Sequence, residues 1–165
     1  MIPPWPGWDG LHPLVIHFPV ALLLVAPVFL LLSAFWRKHG LAFGIAALVL
    51  LLLGTAAAFV SVETGEAAAE LADRTEAITA AITQHQELAE QARNVFAVIT
   101  VCYAVLLALS GGAIKRLAKP GVQMTVALVT CGAVLAGSLE IVAAAHRGGL
   151  LVHKFGVHAM LPKDS

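Results

Sequence analysis

HPLVIHFPVALLLVAPVFLLLSAFWRKHGLAFGIAALVLLLLGTAAAFVSV, residues 12–62, decides the fold. Two apolar runs, about 13–36 and 41–62, are parted only by the basic residues Arg37, Lys38 and His39 and by Gly40. Each run is close to the ~20 residues that an α-helix needs to cross hydrocarbon. His12-Pro13 suits a helix start, because proline is tolerated in the first turn. Two more runs of similar length follow, about 95–114 and 122–145. The chain has 165 residues, of which 59% are hydrophobic and only 12% are Asp, Glu, Lys or Arg. A soluble domain carries about 25% charged residues. The expected fold is therefore an all-α membrane protein with four transmembrane helices, in a single domain spanning 1–165.

Composition narrows the function classes. The formal net charge is zero, so nothing points to nucleic acid. The opening MIPPWPGWDG has no basic segment and no small-residue cleavage site follows it, so no removable signal peptide is expected. Cys102 and Cys131 sit in apolar runs and read as small core residues rather than a disulfide. No C-x-x-C-H motif for covalent haem attachment occurs.

The short loops set the expected orientation. Arg37 and Lys38 join the first two spans, and Lys115, Arg116 and Lys119 join the last two, with no acid in either loop. The positive-inside rule puts both loops in the cytoplasm. Both termini and the segment 63–94 then lie outside, in the periplasm if the membrane is a bacterial inner membrane. All ten acidic residues fall on or near that side, with Trp5 and Trp8 at the outer interface and Trp36 at the inner one.

The outer segment 63–94 is rich in Ala, Glu and Gln, which favour helix. It reads as a helical hairpin extending spans two and three, with Asp73 as a helix cap and Glu76 three residues on. Ile78, Ala81, Ile82, His85, Leu88, Ala89, Ala92 and Phe96 recur at helical spacing and put His85 on the inward stripe. Gly54 with Ala58, and Gly132 with Ala136, mark expected close helix contacts. Pro19 and Pro27 are expected to loosen or kink the first span.

Six of the seven histidines, His12, His17, His85, His146, His153 and His158, fall on the outer side; His39 does not. Imidazole is the commonest metal ligand and a frequent haem-iron ligand. His17 lies about one turn inside the first span, and an ionisable group there is a functional candidate, the alternative being a neutral ring bonded to a neighbouring helix. His146 ends the fourth span beside Gly148 and Gly149, which suit a helix C-cap; it is read as a ligand or as a partner of the last carbonyls. Arg147 could face an anionic group or anchor the interface. His85 is either a ligand or buried core polarity. His12 reads first as a cap beside Pro13, and His39 as a solvated loop residue. Glu140 is the only acid embedded in an apolar span, about 120° around the helix from His146. It could meet Arg147, an imidazole or a proton path, or bond between helices.

Two imidazoles on facing helices can hold both axial positions of a haem iron. Alternatively, Glu63, Glu66 and Glu70 with His17, His85 and His146 would suit a non-haem transition metal. That carboxylate run has no strict Glu-x-x-His motif and also reads as a solvated helical face.

HPLVIHFPVALLL (12–24), ETGEAAAE (63–70), HQELAE (85–90) and AAAHRGGLLVHKFGV (143–157) together resemble a bacterial membrane family known as domain of unknown function 2231. The resemblance implies a four-span, all-helical inner-membrane protein. Relatives are often fused or adjacent to cytochrome-like modules, which implies a haem-linked redox role. His17, His85 and His146 match the family's histidine positions. The family commonly has tyrosine where this chain has His153 and histidine where it has Phe155, so the chain departs from the pattern there.

The expected function is a b-type haem electron-transfer component with the haem near the outer face. His17 and His146 are the first choice of axial pair, with His85 third and Arg147 nearby. The alternatives are a metal-binding or metal-transport protein using His17 and His146, and a structural membrane subunit without cofactor. No nucleophile–base motif or nucleotide loop marks a stand-alone enzyme. Expected partners are membrane lipid and a cytochrome or other redox partner at the outer face, with an oligomer left open.

Overall fold

The structure is a computed structural model that describes residues 7–73, 75–110 and 119–157. Trp5, Arg74, Lys115, Arg116 and His158 lie outside the described residues. A 3-10 turn (Asp9–Leu11) leads into α1 (His12–Val15) and α2 (His17–Phe35), which together make the first crossing. The division at Ile16 has a local cause. Pro19 has no N–H to give the carbonyl of Val15, and the next bond, from the Val20 N–H to the Ile16 carbonyl, is long at 3.5 Å. Trp36 leaves helical geometry, and the turn Arg37–His39 feeds α3 (Gly40–Glu70). α4 (Glu76–Ala108) and α5 (Pro120–His153) complete the chain. Four helices are long and apolar enough to cross a membrane.

The bundle is apolar outside as well as inside. Phe35, Val129 and Leu139 are 70, 67 and 71% exposed. In water such a surface would be an aggregation liability; in a bilayer it is the lipid-facing side. Each of α2 and α4 packs on both α3 and α5. Their shared core holds Leu23, Leu30, Leu51, Phe96, Tyr103 and Val134. Buried hydroxyls there find partners, as lipid-embedded polar groups must: Thr55 and Thr100 bond at 2.9 Å, and Tyr103 Oη donates to the Gly44 carbonyl at 3.2 Å.

α3, α4 and α5 have 31, 33 and 34 residues. That is about 45–50 Å of helix against about 30 Å of hydrocarbon, so all three run past the layer they cross. At the end that carries Glu70 and His153, a second cluster joins Ala69 of α3, Ile82 of α4 and Leu151 of α5.

Several local expectations change. The cap of α4 is Thr75, not Asp73: Thr75 has extended backbone (φ −88°, ψ 163°) and its side chain accepts from the Ile78 N–H at 3.3 Å. Gly148 and Gly149 do not end the fourth span. α5 continues to His153, and the chain leaves it through Gly156, whose φ of 67° suits a residue without Cβ. Gly54 does mark a close approach, since a Cβ there would lie 2.7 Å from Leu23 Cγ. Gly132 does not, having nothing within 4 Å of that point; Gly137, facing Val95 and Phe96, takes that part instead. Cys131 is buried but Cys102 is exposed on the apolar surface, so only one of the two is a core residue.

Candidate functional site

Two imidazoles from different helices meet at the end of the bundle where α3 closes and α4 begins. The ring centroids of His12 and His85 are 6.4 Å apart, with the planes at 80°. Each ring rests on a helix other than its own.

His12 opens α1 but does not cap it. Its side chain crosses to α3, where Nδ1 lies 3.0 Å from the Ser61 carbonyl oxygen and 3.3 Å from Thr64 Oγ1. The Thr64 hydroxyl is committed to carbonyls, donating to Val60 at 2.9 Å and sharing Ser61 at 3.1 Å. Its oxygen is then an acceptor, as is every carbonyl. Nδ1 of His12 must therefore carry the proton and donate.

His85 repeats the arrangement on α5. Its Nδ1 lies 2.9 Å from the Ala144 carbonyl oxygen, which again makes Nδ1 the donor. Four residues beyond each accepting carbonyl stands a glycine. A Cβ on Gly65 would lie 2.9 Å from His12 Cε1, and one on Gly148 would lie 3.1 Å from His85 Cε1. Each ring thus lies flush against helix backbone that only glycine exposes at that point.

His85, neutral with its proton on Nδ1, has its lone pair on Nε2. Ligating histidines are commonly held in this way, one nitrogen on a carbonyl and the other toward a metal. His85 stands ten residues ahead of the apolar run that opens at 95. Burial pushes its pKa below the ordinary 6.5, opposed by the hydrogen bond to Ala144, so the ring favours its neutral form.

The other site candidates lie apart. His17, His146 and Arg147 are all exposed on helix surfaces. His153 is exposed at the end of α5. His39, at the opposite end, is exposed yet packs edge-on to Trp36 and Phe43, with centroids 5.9 and 6.4 Å away. Glu140 is half-buried and takes a long 3.5 Å contact from Gln91 Nε2, which ties α5 to α4. Among the described residues, no group of three or more His, Cys, Asp or Glu side chains is gathered closely enough to hold a metal ion. Glu63, Glu66 and Glu70 therefore do not join the imidazoles as a common donor set.

Sequence reasoning read His12 first as a cap beside Pro13; the structure seats its ring on α3. The signal that could have found it is a small residue followed four positions later by glycine, present as Ser61/Gly65 and Ala144/Gly148. Only the facing helices turn that spacing into a seat for a ring.

The family described as "Predicted membrane protein (DUF2231)" matches residues 9–160, nearly the whole chain. No curated protein and no solved structure matches it.

Proposed function

The chain belongs to the DUF2231 family of predicted membrane proteins, and on that premise we propose that it is a b-type haem electron-transfer component of the bacterial inner membrane. The observation that carries the reading is the pair of carbonyl-held imidazoles, His12 and His85. Two metal–nitrogen bonds of about 2 Å each, plus the distance from each nitrogen to its ring centre, span about 6 Å. The 6.4 Å between the two ring centroids is of that size. A donor set of two imidazoles suits a metal that brings its remaining ligands with it, as haem iron does. A haem bound there would supply one-electron chemistry, and the two imidazoles would hold it. In this reading His12 and His85 would hold the haem iron, while His17, His146 and Arg147 are exposed groups apart from the pair.

The proposal includes an orientation. Arg37, Lys38 and Lys119 lie at the cytoplasmic end, and the projecting ends of α3 and α4 form a helical hairpin on the periplasmic side. His17 and Glu140 stand about 30 Å of helix from Arg37 and Lys119, one hydrocarbon thickness. The imidazole pair then sits just above the outer boundary, within reach of a periplasmic redox partner.

A second reading draws on the same pair. Monovalent copper, a soft ion that accepts imidazole, could take two nitrogens without a third protein donor. The test is a reduced-minus-oxidised visible spectrum of the purified protein, with metal analysis on the same sample. Low-spin b-type bands support the haem reading. Stoichiometric copper without haem replaces it by the second, and a protein that takes up neither when both are supplied sinks the proposal.

A further inference from the structure

We infer that the groove ending at Arg37, on the outside of α2, is a binding site for one anionic phospholipid. An acyl chain lies along α2 and the headgroup phosphate meets the guanidinium. The inference is independent of the haem reading, which concerns the other end of the bundle.

The groove follows from the way the first crossing ends. Val28, Leu31, Leu32, Phe35, Trp36 and Arg37 line about 490 Å³ of open space. Val28 to Phe35 is two turns of α2, about 10 Å of helix, against about 15 Å for the hydrocarbon of one leaflet. Trp36 leaves helical geometry (φ −98°, ψ 71°), while its N–H still donates to the Leu32 carbonyl at 2.9 Å. Its ring is held by two neighbours, with the Phe43 centroid 5.6 Å away and that of His39 5.9 Å away. Phe29 backs Phe43 in turn, at 6.3 Å. An indole packed among rings in this way stays as a wall of the groove instead of folding down to fill it.

Every lipid-facing helix meets acyl chains; what distinguishes this groove is the cation at its end. Residues 10–62 and 95–139 contain no Asp or Glu, yet Arg37, Lys38, Lys115, Arg116 and Lys119 all fall within them. The first acid along α3 is Glu63, about 35 Å of helix beyond Gly40. Among the described residues no carboxylate pairs with Arg37, so its counter-charge comes from outside the chain. A guanidinium presents parallel N–H donors that match phosphate oxygens, and basic clusters at helix ends draw anionic headgroups. A zwitterionic lipid offers the same phosphate but brings a positive charge with it. An end with five cations and no acid therefore favours a headgroup of net negative charge.

The test uses the full chain in phosphatidylcholine vesicles, with Trp5→Phe and Trp8→Phe so that Trp36 is the remaining tryptophan. Lipids with brominated acyl chains quench a tryptophan that they touch. At equal low mole fraction, brominated phosphatidylglycerol should quench Trp36 more than brominated phosphatidylcholine does, with an apparent preference of about fivefold, the size of one basic contact to an anionic headgroup. Arg37→Gln should remove most of that preference. Lys38→Gln deletes the same charge from the same turn but outside the groove, and should keep most of it. Both side chains are exposed, so neither variant disturbs the core. Equal quenching by the two lipids in the parent chain would overturn the inference. So would equal losses in the two variants, which would mean diffuse surface charge in place of a site. Weak quenching by both lipids that grows as the protein is diluted in lipid would put a second copy of the chain in the groove, and would overturn it as well.

Discussion

At the scale of the residue, an imidazole is useful here because its surroundings decide which nitrogen holds the proton. His85 is half-buried, and burial lowers its pKa from 6.5 more than the Ala144 bond raises it. The sign of the consequence follows. A base whose folded pKa lies below its unfolded value stabilises the fold fully above the unfolded pKa, and that contribution is lost as pH falls below it. Thermal unfolding in detergent should therefore show the wild-type protein losing stability between about pH 7 and pH 5. His85→Gln, which has no proton to gain, should lose less over the same range. Equal losses would mean that the seat on α5 does not disfavour the charged ring. Sequence alone placed His85 on the inward stripe of its helix, and burial agrees. It put His17 ahead of His12 without seeing what each meets, because both stand within two residues of a proline at the start of one span and only the facing helix distinguishes them. Ser61, Thr64 and Gly65 meet His12; His17 points to the surface.

At the scale of the element, four crossings were legible because hydrocarbon length and apolar runs are both one-dimensional quantities. Helix ends were less so. Gly148-Gly149 looks like a stop signal, but the contacts of α5 with α4 and the cluster around Leu151 carry the helix past it. Thr75 rather than Asp73 caps α4 because it is the extended residue next to the helix, and its hydroxyl oxygen reaches the Ile78 N–H, an otherwise unpaired donor of the first turn. Close helix contacts separate in the same way. Gly54→Ala would press a methyl group to 2.7 Å from Leu23 and should cost about 1–3 kcal/mol, the usual range for overpacking. Gly132→Ala meets open space and should be neutral or stabilise by up to about 1 kcal/mol. Unfolding of the two variants side by side checks this; a tolerated Gly54→Ala would contradict the α2–α3 packing.

At the scale of the whole molecule, charge and chemistry divide between the two ends. The basic residues Arg37, Lys38 and Lys119 mark one end, and the imidazole pair with most of the acids marks the other. Reporters fused after Lys38 or Lys119 should be cytoplasmic, and one inserted near Asp73 periplasmic. The reverse pattern would put the pair on the cytoplasmic side and remove the periplasmic partner from the account.

The central claim is that His12 and His85 together are the ligand-holding pair of this bundle. It is tested most directly by the content of bound haem or metal in four variants purified alongside the wild-type protein. His12→Ala and His85→Ala should each abolish binding or alter the spectrum strongly, while membrane insertion is kept. His17→Ala and His146→Ala should leave both content and spectrum close to wild type. The opposite pattern, binding lost with His17 or His146 and kept without His12 and His85, would contradict it.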